Sequence, residues 1–182
     1  MNDKKIIGDV LTFWFEEVGE EQWFTKDSEL DTVIRDRFQD VYENVLNRET
    51  ESWKEAPEGR LAEIVVLDQF SRNIFRNDAK SFSSDALALH LAQDAIAVGD
   101  DKKIPKEQRV FFYMPFMHAE SPEVHIEALR LFTEYGNENY LGYEISHKAI
   151  IDQFGRYPHR NEVLGRESTS EELEFLKTNA SF

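Results

Sequence analysis

The sequence contains no cysteine. That excludes a disulfide framework, a thiolate nucleophile and a Cys-ligated zinc. Glycine and proline are scarce, 8 and 5 residues in 182, too few for a many-turned β-sandwich. No apolar run approaches the roughly 20 residues needed to cross a bilayer. The first residues, Met1-Asn2-Asp3-Lys4-Lys5-Ile6, lead into an amphipathic segment with Asp9. They lack the apolar core and small-residue cleavage site of a signal peptide, so the expected location is the cytoplasm. Basic residues are outnumbered, 21 Lys and Arg against 36 Asp and Glu, for a formal charge of -15. Affinity for nucleic acid comes mainly from neutralised phosphates, so nucleic acid is not an expected partner. An anionic membrane surface is disfavoured for the same reason.

What is present is apolar bulk. Hydrophobic residues make up 41% of the chain and aromatics 13%, which excludes a disordered chain and allows one domain over residues 1–182. Apolar spacing is helical almost throughout. The segment from Ile6 to Val18 is apolar on most faces, so Phe13-Trp14-Phe15 is expected in the core and Gly19 at the helix end. A second helix is expected from Asp27 to Asn47, capped by Asp27 or Ser28. Arg48 to Pro57 reads as a loop around Trp53. Pro57 opens the next helix, which carries Asp68 inside an apolar run. A buried carboxylate needs a partner, and Arg72 stands four residues on. Further helices start at Ser83 or Ser84, at Pro105 and at Ser121-Pro122, and another runs from Glu138 to Phe154 with Gly155 as its C-cap. Pro115 should kink or end its helix. His90 reads as a packed or surface histidine, and His125, between Glu123 and Glu127, as solvent-exposed. Ser168-Thr169 with Glu171-Glu172 gives a doubled capping signal for a short terminal helix. No strand-period run competes, so the expected fold is all-α, about eight helices in antiparallel pairs.

One pattern occurs twice. Asp68-Gln69-Phe70-Ser71-Arg72 and Asp152-Gln153-Phe154-Gly155-Arg156 share D-Q-F-x-R, 84 positions apart (152 minus 68). The second copy opens the stretch His147–Asn161, where Lys148, Arg156 and Arg160 stand against Asp152 for a local balance of +2.

The ordered motifs Phe13-Trp14-Phe15, Leu67–Arg76, Phe112-Tyr113-Met114-Pro115-Phe116-Met117-His118-Ala119-Glu120 and Phe154–Asn161, followed by Leu164–Thr169, make the chain resemble the bacterial domain-of-unknown-function family 924. The resemblance covers nearly the whole chain. It implies an all-α fold of the tetratricopeptide-like helical superfamily and carries no established activity.

Three functional readings follow. In the first, a small anionic ligand binds between the two D-Q-F-x-R elements. Its expected contacts are Asp68, Arg72, Asn73, Arg76, Tyr113, His118, Glu120, His147, Asp152, Arg156, His159, Arg160 and Asn161. Arginine forks a carboxylate or phosphate, His118 and His159 hydrogen-bond or exchange protons, and Asp68 and Asp152 orient the arginines. The competing view of the same residues is intramolecular ion pairs that tie helix ends together. In the second reading a hydrolase uses His118, Glu120, His147, Asp152 and His159, with or without a metal. None of these has a diagnostic metal spacing, and no cofactor or resident metal is expected. In the third, an acidic helical module binds a basic or amphipathic peptide, with Trp23 and Trp53 as anchors.

Overall fold

A computed structural model describes residues 3–179. Met1 and Asn2, with which the N-terminal reading began, lie outside the described residues. The architecture is all-α, and no strand forms among the described residues. No helix is long and apolar enough to cross a membrane among them. The contacts gather into two compact units, Met1–Arg76 with Lys80–Pro115, and Asn77–Ala79 with Phe116–Phe182.

The first unit begins with α1 (Asp3–Thr12), which widens into a π-helical turn over Phe13–Glu17. The sequence predicted one regular helix here. Phe13 and Trp14, in the widened turn, are both buried. Phe13 lies 5.0 Å from Phe38, and Trp14 lies 5.5 Å from Phe70 and 6.0 Å from Phe111 by ring centroids. Helix α2 (Ser28–Leu46) starts as expected at Asp27, whose carboxylate accepts from the N–H groups of Glu29 and Leu30. Trp53, expected in a loop, is buried on a short 3₁₀ turn, Glu51–Glu55. Helix α3 (Pro57–Val65) runs into a second π turn, Val66–Phe70, and then into α4 (Ser71–Ile74). All five residues of that turn are buried, Asp68 included. Helix α5 (Asp85–Ala97) follows. The Ser84 hydroxyl does not cap it but donates to the Leu67 carbonyl at 2.8 Å. The helix predicted from Pro105 is broken into α6 (Lys106–Arg109), a 3₁₀ turn at Val110–Phe112 and α7 (Met114–Met117).

The second unit is built on a helical hairpin, α8 (Pro122–Tyr135) and α9 (Glu138–Phe154). Ser121 caps α8 and Pro122 fills its first turn, as the sequence predicted. Gly136 ends α8 at φ +74°, a conformation that costs glycine little. Asn137 at once caps α9 through the N–H groups of Asn139 and Tyr140. Tyr135 meets Tyr140, and His125 meets Glu144, so the two helices run antiparallel. Gly155 turns the chain at φ +69° into a 3₁₀ turn, Pro158–Arg160, and a loop to α10 (Ser170–Leu176). The predicted capping signal at α10 is a full capping box, Thr169 with Glu172.

Candidate functional site

The first D-Q-F-x-R element lies in the first unit. Arg72 forks Asp85 at 3.0 and 3.1 Å, donates to the Asp68 carbonyl at 2.5 Å and stands 3.5 Å from the Asp68 carboxylate. The Asp68 carboxylate also accepts from the Gln69 amide. Arg76 forks Asp31 at 2.5 and 2.6 Å, and Asn73 donates to the same carboxylate at 2.8 Å. The Tyr113 hydroxyl donates to Asp101 at 2.7 Å. In each of these pairs the donor that the sequence offered to a ligand is engaged by a carboxylate of the chain itself.

The second element lies in the second unit and is not a copy of the first in its bonding. Asp152 was expected to orient Arg156. It is exposed and pairs instead with Lys148, one turn back, at 2.7 Å. Beyond the left-handed Gly155, Arg156 leaves the line of α9 and forks Glu172 of α10 at 2.7 and 2.8 Å, with a further bond to the Glu167 carbonyl. Glu172 also accepts from the Thr169 N–H and the Asn161 amide. The hydrogen bond from Arg156 is the largest of the effects that pull the Glu172 carboxyl down to about 2. A depressed carboxyl stabilises the fold above its unfolded value near 4.5 and loses that contribution as pH falls toward 2. Glu172 is buried, but Arg156, its main partner, is partly exposed, so solvent screening reduces the effect to about 1–2 kcal/mol. Glu172→Gln should therefore unfold at a lower temperature than wild type at pH 7. The gap should close between pH 4.5 and pH 2 in a melting series.

The chain has five histidines. His90 lies on α5, exposed, 3.6 Å from Asp94. The other four lie in the second unit, and three of them gather around Tyr157, which is fully buried. The ring of His147 is 5.6 Å from that of Tyr157, His159 is at 5.5 Å and His125 at 6.3 Å. The Arg160 guanidinium lies over the other rings' common neighbour, 4.7 Å from the Tyr157 centroid, and donates to the His118 carbonyl at 3.0 Å. Glu120 accepts the Tyr157 N–H at 2.7 Å and is forked by Arg166 at 2.6 and 2.9 Å. Arg166 in turn donates to Asn161 and to the Tyr157 carbonyl. Burial works against the Glu120 carboxylate, yet the bonds from Arg166 and Tyr157 and the charge of Arg160 bring its pKa below the usual value.

His125 corrects the sequence reading most directly: expected in solvent, it is fully buried. Position 125 is on the inward face of α8, and the flanking Glu123 is exposed on the outward one. Its Nδ1 is 2.8 Å from Glu144, itself fully buried, and its Nε2 is 2.9 Å from the Ala119 carbonyl and 3.1 Å from the Tyr157 hydroxyl. The Tyr157 hydroxyl donates to the Met117 carbonyl at 2.5 Å, so toward His125 it accepts. Nε2 therefore carries a proton, and the contact between Nδ1 and Glu144 holds one further proton. Burial pushes the Glu144 carboxyl up, against the hydrogen bond and charge of His125.

His147 donates from Nδ1 to the Tyr143 carbonyl at 2.8 Å, one turn back on α9, which puts its lone pair on Nε2. Burial lowers its pKa to about 3, and burial with the charge of Arg160 lowers that of His159 to about 4. Both rings are neutral at pH 7. Among the described residues no three His, Asp or Glu side chains are grouped to hold a metal ion. The sequence had marked His118, Glu120, His147, His159, Arg160 and Asn161. It missed His125, Glu144, Tyr157 and Arg166. The i, i+4 repeat from Tyr143 to His147 and the apolar flanks of His125 were the signals available.

A family model described as a bacterial protein of unknown function (DUF924) matches residues 10–180. No curated protein matches the chain. The solved structure of a protein of unknown function from Agrobacterium tumefaciens is similar at 38% identity, with a TM-score of 0.92, over 97% of this chain and 99% of that one.

Proposed function

Since the chain belongs to the bacterial family DUF924, whose description carries no activity, we propose that the imidazole cluster of the second unit binds a small polar molecule. The observation that carries this reading is the convergence of three of the five histidines on one buried tyrosine, with two of them held neutral. Histidines used only for packing have no reason to collect in one place, and perturbed groups gathered around a single centre mark a candidate site. The magnitudes favour binding over proton transfer. A general base works best with a pKa near the operating pH. Imidazoles at about 3 and 4 are weak bases, but they are good neutral hydrogen-bonding groups. They suit a ligand rich in hydroxyl or amide groups, and Arg160 supplies positive charge for an acidic group on it. Arg72, Arg76 and Arg156 act in this reading as ties within the fold.

The test is imidazole NMR against pH and ligand. His147 and His159 should show no titration above about pH 5. A panel of polyols, hydroxy acids, nucleosides and sugar phosphates should contain compounds that move the His147 and His159 resonances and raise the melting temperature, with both effects lost in His147→Ala. Resonances unmoved by every compound, with alanine variants that change stability alone, would leave the cluster as packing. Turnover of an ester or amide in the same panel, lost in His125→Gln, would favour the hydrolase reading instead.

A further inference from the structure

A second set of residues, in the first unit, has no part in that site. A cavity of about 30 Å³ lies between the end of α2, the 3₁₀ turn after it, α3 and α5. Val45, Leu87 and Leu91 give it apolar walls, and Arg48, Glu51, Lys54, Glu63 and His90 complete it. Two of these residues are unusual. Glu63, on α3, is 2% exposed. Its Oε1 accepts the Thr50 hydroxyl at 2.5 Å, while its Oε2 is buried without a hydrogen-bond partner in the structure. A buried polar oxygen left unpaired costs roughly 1–3 kcal/mol. Arg48 follows α2 in the left-handed conformation at φ +61°. Gly99, Gly136 and Gly155 hold left-handed positions at other helix ends, where a side chain is strained. Here the chain accepts that strain and keeps a guanidinium.

We propose that this cavity is a binding site for a small aliphatic monocarboxylate, forked by Arg48 and hydrogen-bonded by the otherwise unpartnered Oε2 side of the Glu63 carboxyl. Arginine matches a carboxylate with two parallel N–H bonds. Burial is the largest effect on Glu63 and pushes its carboxyl toward the protonated form. With Oε1 taken by the Thr50 hydroxyl, Oε2 is the oxygen left to meet a ligand carboxylate, the two sharing one proton. No bond to carbon forms or breaks, and binding at most adds one proton to Glu63. The apolar walls take a methyl or ethyl group. Glu51 carries a charge of the wrong sign, and Lys54 holds it at 2.8 Å. The size suits acetate or propionate, since a cavity of this volume seats about two water-sized spheres.

The test titrates the whole protein with sodium propionate against sodium chloride of equal ionic strength, followed by backbone NMR and by melting temperature. Propionate should shift the amides of residues 48, 50, 54, 63 and 91 saturably, and chloride should not. Arg48→Gly is the informative variant because glycine suits φ +61°, so it should melt at or above the wild-type temperature. It should nevertheless bind propionate at least ~10-fold more weakly. Glu63→Gln, which keeps a donor at Oε2, should bind with less dependence on pH than wild type. A linear response equal to that of chloride, or an Arg48→Gly protein with wild-type affinity, overturns the proposal. Neither outcome bears on the imidazole cluster, which lies in the other unit.

Discussion

His125→Ala should lower the melting temperature by roughly 8–15 °C. The residue lies on the inward face of α8, where its ring joins Glu144 on α9, the Ala119 carbonyl before α8 and Tyr157 beyond α9. Removing one member of a buried acid–imidazole pair costs about 3–5 kcal/mol, because the other is left without a partner in a low-dielectric interior. Here Glu144 would lose the only hydrogen bond its carboxyl makes among the described residues, its Oε2 being unpartnered already. Glu144→Gln leaves an amide that can still bond Nδ1, and should cost only about 1 kcal/mol. The pair of variants thus separates loss of the contact from loss of the charge. A pH series adds the sign. Burial raises the Glu144 carboxyl above its unfolded value, so its contribution is fully present below about 4.5 and falls as pH rises through the folded value. The stability difference between wild type and Glu144→Gln should shrink in that direction. A His125→Ala protein within about 1 kcal/mol of wild type would show that the chain from Tyr157 to Glu144 is not a structural element.

Gly59→Ala is the second large effect expected, about 3–5 kcal/mol of destabilisation in urea unfolding. Gly59 is in the first turn of α3, and a Cβ there would collide with the Trp53 carbonyl oxygen and stand 2.8 Å from its carbon. Those atoms are backbone, so neither can rotate away. The alternatives are to shift the start of α3 or to push out Trp53, which is buried. Trp fluorescence should move toward the exposed wavelength in the second case. Gly142→Ala is the control. It is also helical, in α9, but a Cβ there meets nothing within 4 Å. It should stabilise the protein by about 0.5–1 kcal/mol, because alanine has less backbone freedom to lose. Equal effects from the two substitutions would show that Trp53 does not pack against the start of α3 in solution.

The D-Q-F-x-R repeat shows how far local pattern reaches. It suggests that each aspartate serves its own arginine, and Arg72 does stand 3.5 Å from Asp68, but the two-bonded fork of each arginine goes elsewhere. In the fold Arg72 forks Asp85 and Arg156 forks Glu172, 13 and 16 positions away. The near aspartate at 152 is taken by Lys148, a neighbour on the same exposed face. Arginine is long enough to reach several carboxylates, and with 36 acidic residues the sequence offers too many candidates for spacing to choose among.

The sequence by itself determined what depends on neighbours within a turn or two. The all-α class, the caps at Asp27, Ser121 and Thr169, the left-handed stops at Gly136 and Gly155 and the burial of Phe13 and Trp14 all follow from short-range periodicity and hydrogen bonding. Only the tertiary structure decided the partners across long gaps: Asp31 with Arg76, Glu120 with Arg166, and His125 with both Glu144 and Tyr157. A helix presents a polar side chain in the same local pattern whether it faces water or another helix. His125 is therefore legible as a buried group only once α9 and Tyr157 are packed against it. The same packing half-buries His147 and His159, favours their neutral forms and turns separate residues into a candidate site.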